Sequence, residues 1–210
     1  MDADTEAFIL LLLADGNLPT GSFVASSGLE SFITHGFFDS HLSVSTDIRT
    51  PQSALANRTL THYISDNLDS YGHSALPFVA DAHAVARGYV EALSDDSTNS
   101  NEAQENALRK LRSLDALYEC MTLNEVTRRA SSTQGVALLT LLSKGFSKPV
   151  HLDDLVNPNA YNRTNSDGEH LLRLSDTLKL IIRKAETPGH LPICWGVLTA
   201  ALNLSVGMLD

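Results

Sequence analysis

The sequence predicts an all-α protein, and three observations carry that prediction. Apolar residues recur at three- and four-residue spacing through most of the chain. No stretch of sustained alternation is bounded by hairpin turns. Capping residues, prolines and glycines interrupt the periodic segments at helix-length intervals. The 210 residues, 43% hydrophobic and 19% charged, are enough to close one core, so a single helical domain over 1–210 is expected.

The first element is a helix capped by Thr5, with Phe8, Ile9, Leu11, Leu12 and Leu13 following, halting at Asp15-Gly16-Asn17 where the residues favour turns. Leu18-Pro19-Thr20-Gly21-Ser22 reads as a loop. A second helix is expected from Ser22, with Phe23, Leu29, Phe32 and Ile33 on its buried side and Gly36 as its stop. Thr50-Pro51 is a start signal, a cap followed by proline at the first helical position, and Leu60, Tyr63, Ile64, Leu68 and Tyr71 continue it as an apolar stripe. A separate helix is expected from Ser74 to Leu93.

Ser94 to Asn101 has no apolar residue to bury and reads as a mobile linker between helices, with order resuming at Glu102. From Glu102 to Lys144 the pattern gives two helices broken near Ser131-Ser132 or Gly135. Gly145 to Glu169 is dense in Gly, Pro, Asn, Ser and Asp, and is expected to be an inserted loop. Helix resumes from Leu171 to Lys184, stops at Thr187-Pro188-Gly189, and restarts after Pro192 into Ile193 to Val206. An apolar last helix needs covering partners, so the chain is expected to continue beyond Asp210.

Fifteen Lys and Arg against 25 Asp and Glu leave a net charge of −10, which repels phosphate and argues against nucleic acid and anionic membranes as partners. The apolar run Ala7–Ala14 follows Asp2, Asp4 and Glu6 and is far shorter than the ~20 residues of a membrane span. Cys120 and Cys194 lie far apart among apolar neighbours and are expected to be buried free thiols in a reducing compartment, the cytoplasm.

No chemical motif is complete. Gly16 to Ser22 has two glycines at phosphate-loop spacing, but Ser22 stands where a lysine is required, and the loop follows a helix instead of a strand. Gly21 then serves a sharp turn, Ser22 a helix cap, and Pro19 a stiff approach. Asp81 and His83, with His73 nearby, form the densest histidine group, yet positions i and i+2 of a helix do not face one way. Gly21-Ser22-Phe23-Val24-Ala25 lacks the final glycine of a nucleophile elbow. No catalytic residue and no metal ligand is assigned. Arg128-Arg129 is a rare basic pair that could clamp a partner's carboxylates, or could pair internally with Glu125 or Glu119; the sequence leaves both open.

Three stretches together resemble the urease accessory protein F (UreF) family. Leu12 to Asp15 and Leu18-Pro19-Thr20-Gly21-Ser22-Phe23, with Ser26 and Gly28-Leu29-Glu30, is similar to its N-terminal signature. Leu114-Asp115-Ala116-Leu117 to Met121-Thr122-Leu123-Asn124, then Arg128-Arg129-Ala130-Ser131 and Thr133-Gln134-Gly135, is similar to its central one. Pro188-Gly189-His190-Leu191-Pro192, with Gly196-Val197 and Ala200-Ala201-Leu202, is similar to its third. The resemblance implies a helical bundle of that family's type and a dimerising protein without a catalytic centre. It also implies an adaptor that binds accessory protein D (also called H) and recruits the nickel-carrying GTPase, accessory protein G, to the urease apoprotein. No cofactor is then held stably, and nickel is handled by the complex.

On that resemblance the candidate partner-binding residues are Pro19, Thr20, Gly21, Ser22, Phe23, Ser26, Gly28, Leu29, Glu30, Arg128, Arg129, Ser131, Gln134, Gly135, His190, Pro192 and Gly196. The family continues past the position of Asp210 with helices that help hold accessory protein D and the dimer. Two other functions stay open on the sequence: a helical metal-dependent hydrolase using the histidines and Asp81, and a helical binding module unrelated to urease.

Overall fold

The computed structural model describes residues 3–13, 28–37, 52–94, 99–146 and 161–205. Seven α-helices run through these residues: α1 (Ala3–Leu13), α2 (Leu29–Thr34), α3 (Gln52–Leu93), α4 (Ser100–Met121), α5 (Glu125–Leu141), α6 (Tyr161–Arg183) and α7 (Leu191–Ala201). A π-helical turn, Leu142–Phe146, prolongs α5, and no strand occurs among the described residues. The all-α class expected from the periodicity is the class observed.

The chain divides into two compact units, residues 1–22 with 77–210, and residues 23–76. In the smaller unit Gly28, at φ +86°, precedes α2, and Gly36, at φ +74°, ends it at the expected stop. The Phe32 ring lies 4.7 Å from that of Tyr63 and 5.9 Å from that of Phe37. Ile64, Leu68 and Tyr71 do not form a buried stripe; all three are exposed.

The larger unit is organised around α7. Its residues Ile193, Cys194, Val197, Leu198 and Ala200 are fully buried, each large aliphatic one contributing about 1.5–3 kcal/mol. The helix packs on α5 and α6, and Pro192 sits in its first turn, where a missing N–H costs nothing. Gly196 is required by contact: a Cβ there would lie 2.5 Å from the Val79 carbonyl oxygen and 2.6 Å from Cβ of Ala82. The crossing with α3 is therefore backbone against backbone. His83 Nδ1 lies 3.0 Å from Thr199 Oγ1 across the same crossing, and burial lowers the His83 pKa. At the far edge of the unit Glu6 accepts hydrogen bonds from the backbone N–H and hydroxyl of Ser205.

Several expected boundaries moved. The helices expected on either side of Ser74 are one helix, α3, which runs through Pro77. An interior proline costs about 3 kcal/mol, and the buried row Phe78, Val79, Ala82, Ala86, Tyr89 and Val90 beyond it supplies the offsetting burial. The helix expected to resume at Glu102 starts at Ser100, because the Asn99 side chain accepts from the Asn101 N–H as a cap. The break expected at Ser131–Gly135 falls at Thr122–Asn124, where Asn124 caps α5 by accepting from the Val126 and Thr127 N–H groups. Of the loop expected over 145–169, Gly145 and Phe146 belong to the π-helical turn and 161–169 to α6; residues 147–160 lie outside the described set. Helix α6 ends at Arg183 with Ala185 at φ +57°, ahead of the expected stop, and α7 ends at Ala201 instead of Val206. Helix α1 begins at Ala3, two residues before its expected cap. Cys120 is exposed, not buried; Cys194 is buried, and neither forms a disulfide.

Candidate functional site

The second and third sequence signatures meet in the larger unit. On α4, Leu108, Leu111, Asp115 and Tyr118 share the buried face, and Asp115 is the charged member of that row, 1% exposed. A carboxylate in such a position must be satisfied or it costs several kcal/mol. Its partners come from the segment between α6 and α7: Thr187 Oγ1 donates to Oδ2 at 2.5 Å, Gly189 N–H to Oδ2 at 2.7 Å and His190 N–H to Oδ1 at 2.8 Å. One side chain thereby holds the Thr187–His190 turn. Gly189, at φ +75°, adopts a backbone conformation that other residues resist, and its carbonyl oxygen accepts from the Cys194 thiol at 3.5 Å. Burial, with the Asp115 charge adding to it, pushes the Cys194 thiol well above its ordinary pKa, so it is a neutral packing group here.

The His190 side chain, fully buried, extends the network outward. Its Nε2–H donates to Glu119 Oε2 at 2.5 Å, its ring lies 5.1 Å from that of Tyr118, and its Nδ1 has no hydrogen-bond partner among the described residues. The other oxygen of Glu119 accepts from Arg128 Nη1 at 3.1 Å, and Arg128 Nη2 donates to Glu125 Oε2 at 2.8 Å. A chain of charge-assisted bonds thus runs from the turn through α4 to the first turn of α5. Tyr118, edge-on to Phe78 at 5.1 Å, has its phenol pKa raised by burial.

Helix α5 closes the other side of the turn. Ser131 Oγ accepts from the Leu191 N–H at 3.1 Å, and a Cβ on Gly135 would lie 2.1 Å from the Gly189 carbonyl oxygen. These two small residues, which read from sequence as a helix break, are where the helix lets another backbone approach.

The candidate residues therefore sort by place. Arg128, Ser131, Gly135, His190, Pro192 and Gly196 belong to the interlocked interior of the larger unit or its edge, with Gln134 half-buried on α5. Arg129 points outward with its side chain 81% exposed, touching Glu125 at 3.9 Å. Gly28, Leu29 and Glu30 lie at the start of α2 in the smaller unit. Pro19, Thr20, Gly21, Ser22, Phe23 and Ser26 lie outside the described residues. Asp115, Glu119 and Thr187 were absent from the candidates, although a carboxylate within an apolar helical row was a readable signal for the first.

The arrangement positions backbone: the hydroxyls of Thr187 on Asp115 and Thr199 at His83 are both buried. Among the described residues no three His, Cys, Asp or Glu side chains gather as a metal site, and His83 is occupied with Thr199 while Asp81 is exposed. No described helix is long and apolar enough to cross a membrane.

A family model described as UreF matches residues 56–209. Urease accessory protein 6 of Cryptococcus neoformans var. grubii is 36% identical over 205 residues, covering 96% of this chain and 64% of that protein. An uncharacterized UreF-like urease accessory protein of Schizosaccharomyces pombe is 23% identical over 205 residues, covering 98% of this chain and 64% of that protein. Urease accessory protein F of Oryza sativa subsp. japonica is 30% identical over 145 residues, covering 68% of this chain and 41% of that protein. The chain thus spans about 64% of the length of the two fungal relatives. No solved structure matches it.

Proposed function

From the premise that this chain belongs to the UreF family, a family of accessory proteins and not of enzymes, we propose that it acts in urease maturation as an adaptor for nickel insertion. In this reading it binds accessory protein D/H, and the pair presents the nickel-carrying GTPase G to the urease apoprotein, so that GTP hydrolysis is coupled to metal delivery. Nickel is cargo of the assembly, and the chain itself holds no cofactor stably. It works as a homodimer in the cytoplasm.

The observation that carries this reading is the match over residues 56–209 together with a relative named for urease accessory work at 36% identity along nearly the whole chain. The site supports it in kind. An adaptor needs fixed backbone more than reactive groups, and Asp115, Ser131, Gly189 and His190, all within the second and third signatures, spend hydrogen bonds holding one turn between α4, α5 and α7. The net charge of −10 suits basic partner surfaces.

The test is capture of purified accessory proteins D/H and G by this chain, with nickel content and urease activity read after reconstitution. Capture of D/H, then of G with nucleotide, and restored nickel loading are expected. Failure of all three sinks the reading and leaves a helical binding module without a urease role.

A further inference from the structure

The two halves of α3 differ on either side of Pro77. Beyond the proline a buried row runs from Phe78 to Val90, five alanines between 78 and 93 favour the helix, and the backbone at Val79 meets Gly196 of α7. Ahead of it, Ala75 is the one buried residue between 57 and 76, while Ile64, Leu68, Tyr71 and Leu76 are exposed. Ser, Asp, Asn and Gly hold seven of the ten positions 65–74, and these residues favour turns and caps over helix interiors. The second half is fixed by packing; the first is not.

The hydrogen bonds ahead of the proline loosen the helix further. Asn67 Nδ2 donates to the Tyr63 carbonyl at 2.8 Å, His73 Nδ1–H to that of Asp69 at 2.7 Å, and Ser74 Oγ to that of Tyr71 at 3.2 Å. Side chains that bond back onto carbonyls compete with the helix ladder. Pro77 then has no N–H to offer the carbonyl of His73, four residues earlier, and its ring crowds that carbonyl. Proline, glycine and back-bonded side chains are the common origins of helix bends, and all three fall within 72–77. The boundary between the two compact units of the chain lies at the same peptide, Leu76–Pro77.

We propose that α3 is hinged at Gly72–Pro77, so that its first half swings as a rigid helix on a second half anchored in the core. The Tyr63 ring, 4.7 Å from that of Phe32, ties α2 to the first half, and the swing therefore carries Gly28, Leu29 and Glu30 with it. The hinge sets where this part of the first signature is presented. It does not depend on the adaptor role.

The test is a pulsed electron–electron resonance measurement on the full chain, with nitroxide labels at the native Cys120, which is exposed, and at Ser65→Cys; Cys194 is buried and stays unlabelled. The expected distance distribution is at least twice as wide as that of the same chain carrying Pro77→Ala, which restores the N–H and removes the ring. Equal widths in the two chains overturn the hinge. Amide hydrogen exchange separates swinging from melting. With a hinge, the amides of Tyr63–Leu68 exchange at least tenfold more slowly than those of His73–Leu76, because the first half stays helical while it moves. Exchange of both segments at one rate overturns the proposal, since the first half then unfolds instead of swinging.

Discussion

The turn Thr187–His190 and the corner Leu117–Val126, where α4 passes into α5, draw on the same two helices, and their chemistry is reversed from what a protein interior and surface usually carry. The buried turn is polar: the Asp115 carboxylate and the His190 imidazole are shut away from water, and a partly exposed Glu119–Arg128 pair carries the network to the edge. The exposed corner is aliphatic, with Leu117, Met121, Leu123 and Val126 on its outside. Buried polar groups of this kind add little net stability compared with a well-packed apolar set, but they tolerate one geometry only, since each missed bond leaves a desolvated charge. Exposed apolar groups specify no geometry until something covers them. The difference separates the groups the chain needs to keep its shape from those it does not, and Arg128 and Arg129 stand on the two sides of that line.

Substitutions can break or sharpen this division, and the largest effect belongs inside. Asp115→Ala leaves the Thr187 hydroxyl and two backbone N–H groups buried without an acceptor, and is expected to cost about 3–5 kcal/mol in urea unfolding. A loss under about 1 kcal/mol would mean that the turn is held by something else. Gly135→Ala comes next, at about 2–3 kcal/mol, because the added methyl group meets the Gly189 carbonyl and α5 must shift to admit it. Arg128→Ala is expected to lower stability by about 1 kcal/mol through the loss of two partly exposed ion pairs.

A smaller, pH-dependent effect comes from His83. Burial lowers its pKa in the folded chain, so below the ordinary value near 6.5 the unfolded chain takes up this proton first. Stability contributed by neutral His83 is therefore complete above that pH and declines as the pH falls toward the lowered value. The melting temperature should drop between pH 7.5 and pH 5.5, and by less in His83→Gln. The smallest stability change is expected at the corner: Leu123→Asp and Arg129→Ala should each stay within about 0.5 kcal/mol of the wild type in the same unfolding assay. A larger loss would show that the corner is part of the scaffold.

The sequence made the fold class legible because helical periodicity survives wherever one face of a helix is buried, as in Leu108, Leu111 and Tyr118. It misplaced boundaries where tertiary contact overrides local preference. Ser131 and Gly135 carry the residue types of a helix end, yet they lie mid-helix, because another backbone comes within contact distance there. Pro77 carries the residue type of a break, yet the helix continues. The break that does occur lies at Thr122–Asn124, where Thr122 closes α4 and the Asn124 side chain caps α5. The site was half legible. The signatures named His190 and Arg128, and Glu119 was one partner open to the arginines, but only the fold shows that the same carboxylate also meets His190, since a contact between positions 71 apart leaves no trace in spacing.

That shared carboxylate also gives the molecule a reporter. The proton on His190 Nε2 sits against Glu119 with its ring wholly enclosed, so it can trade with solvent hydrogen only when the turn moves away from α4. It should give a slowly exchanging downfield signal in a proton NMR spectrum. Its exchange rate, set beside that of core amides in α7, would time local opening of the turn separately from unfolding of the whole chain.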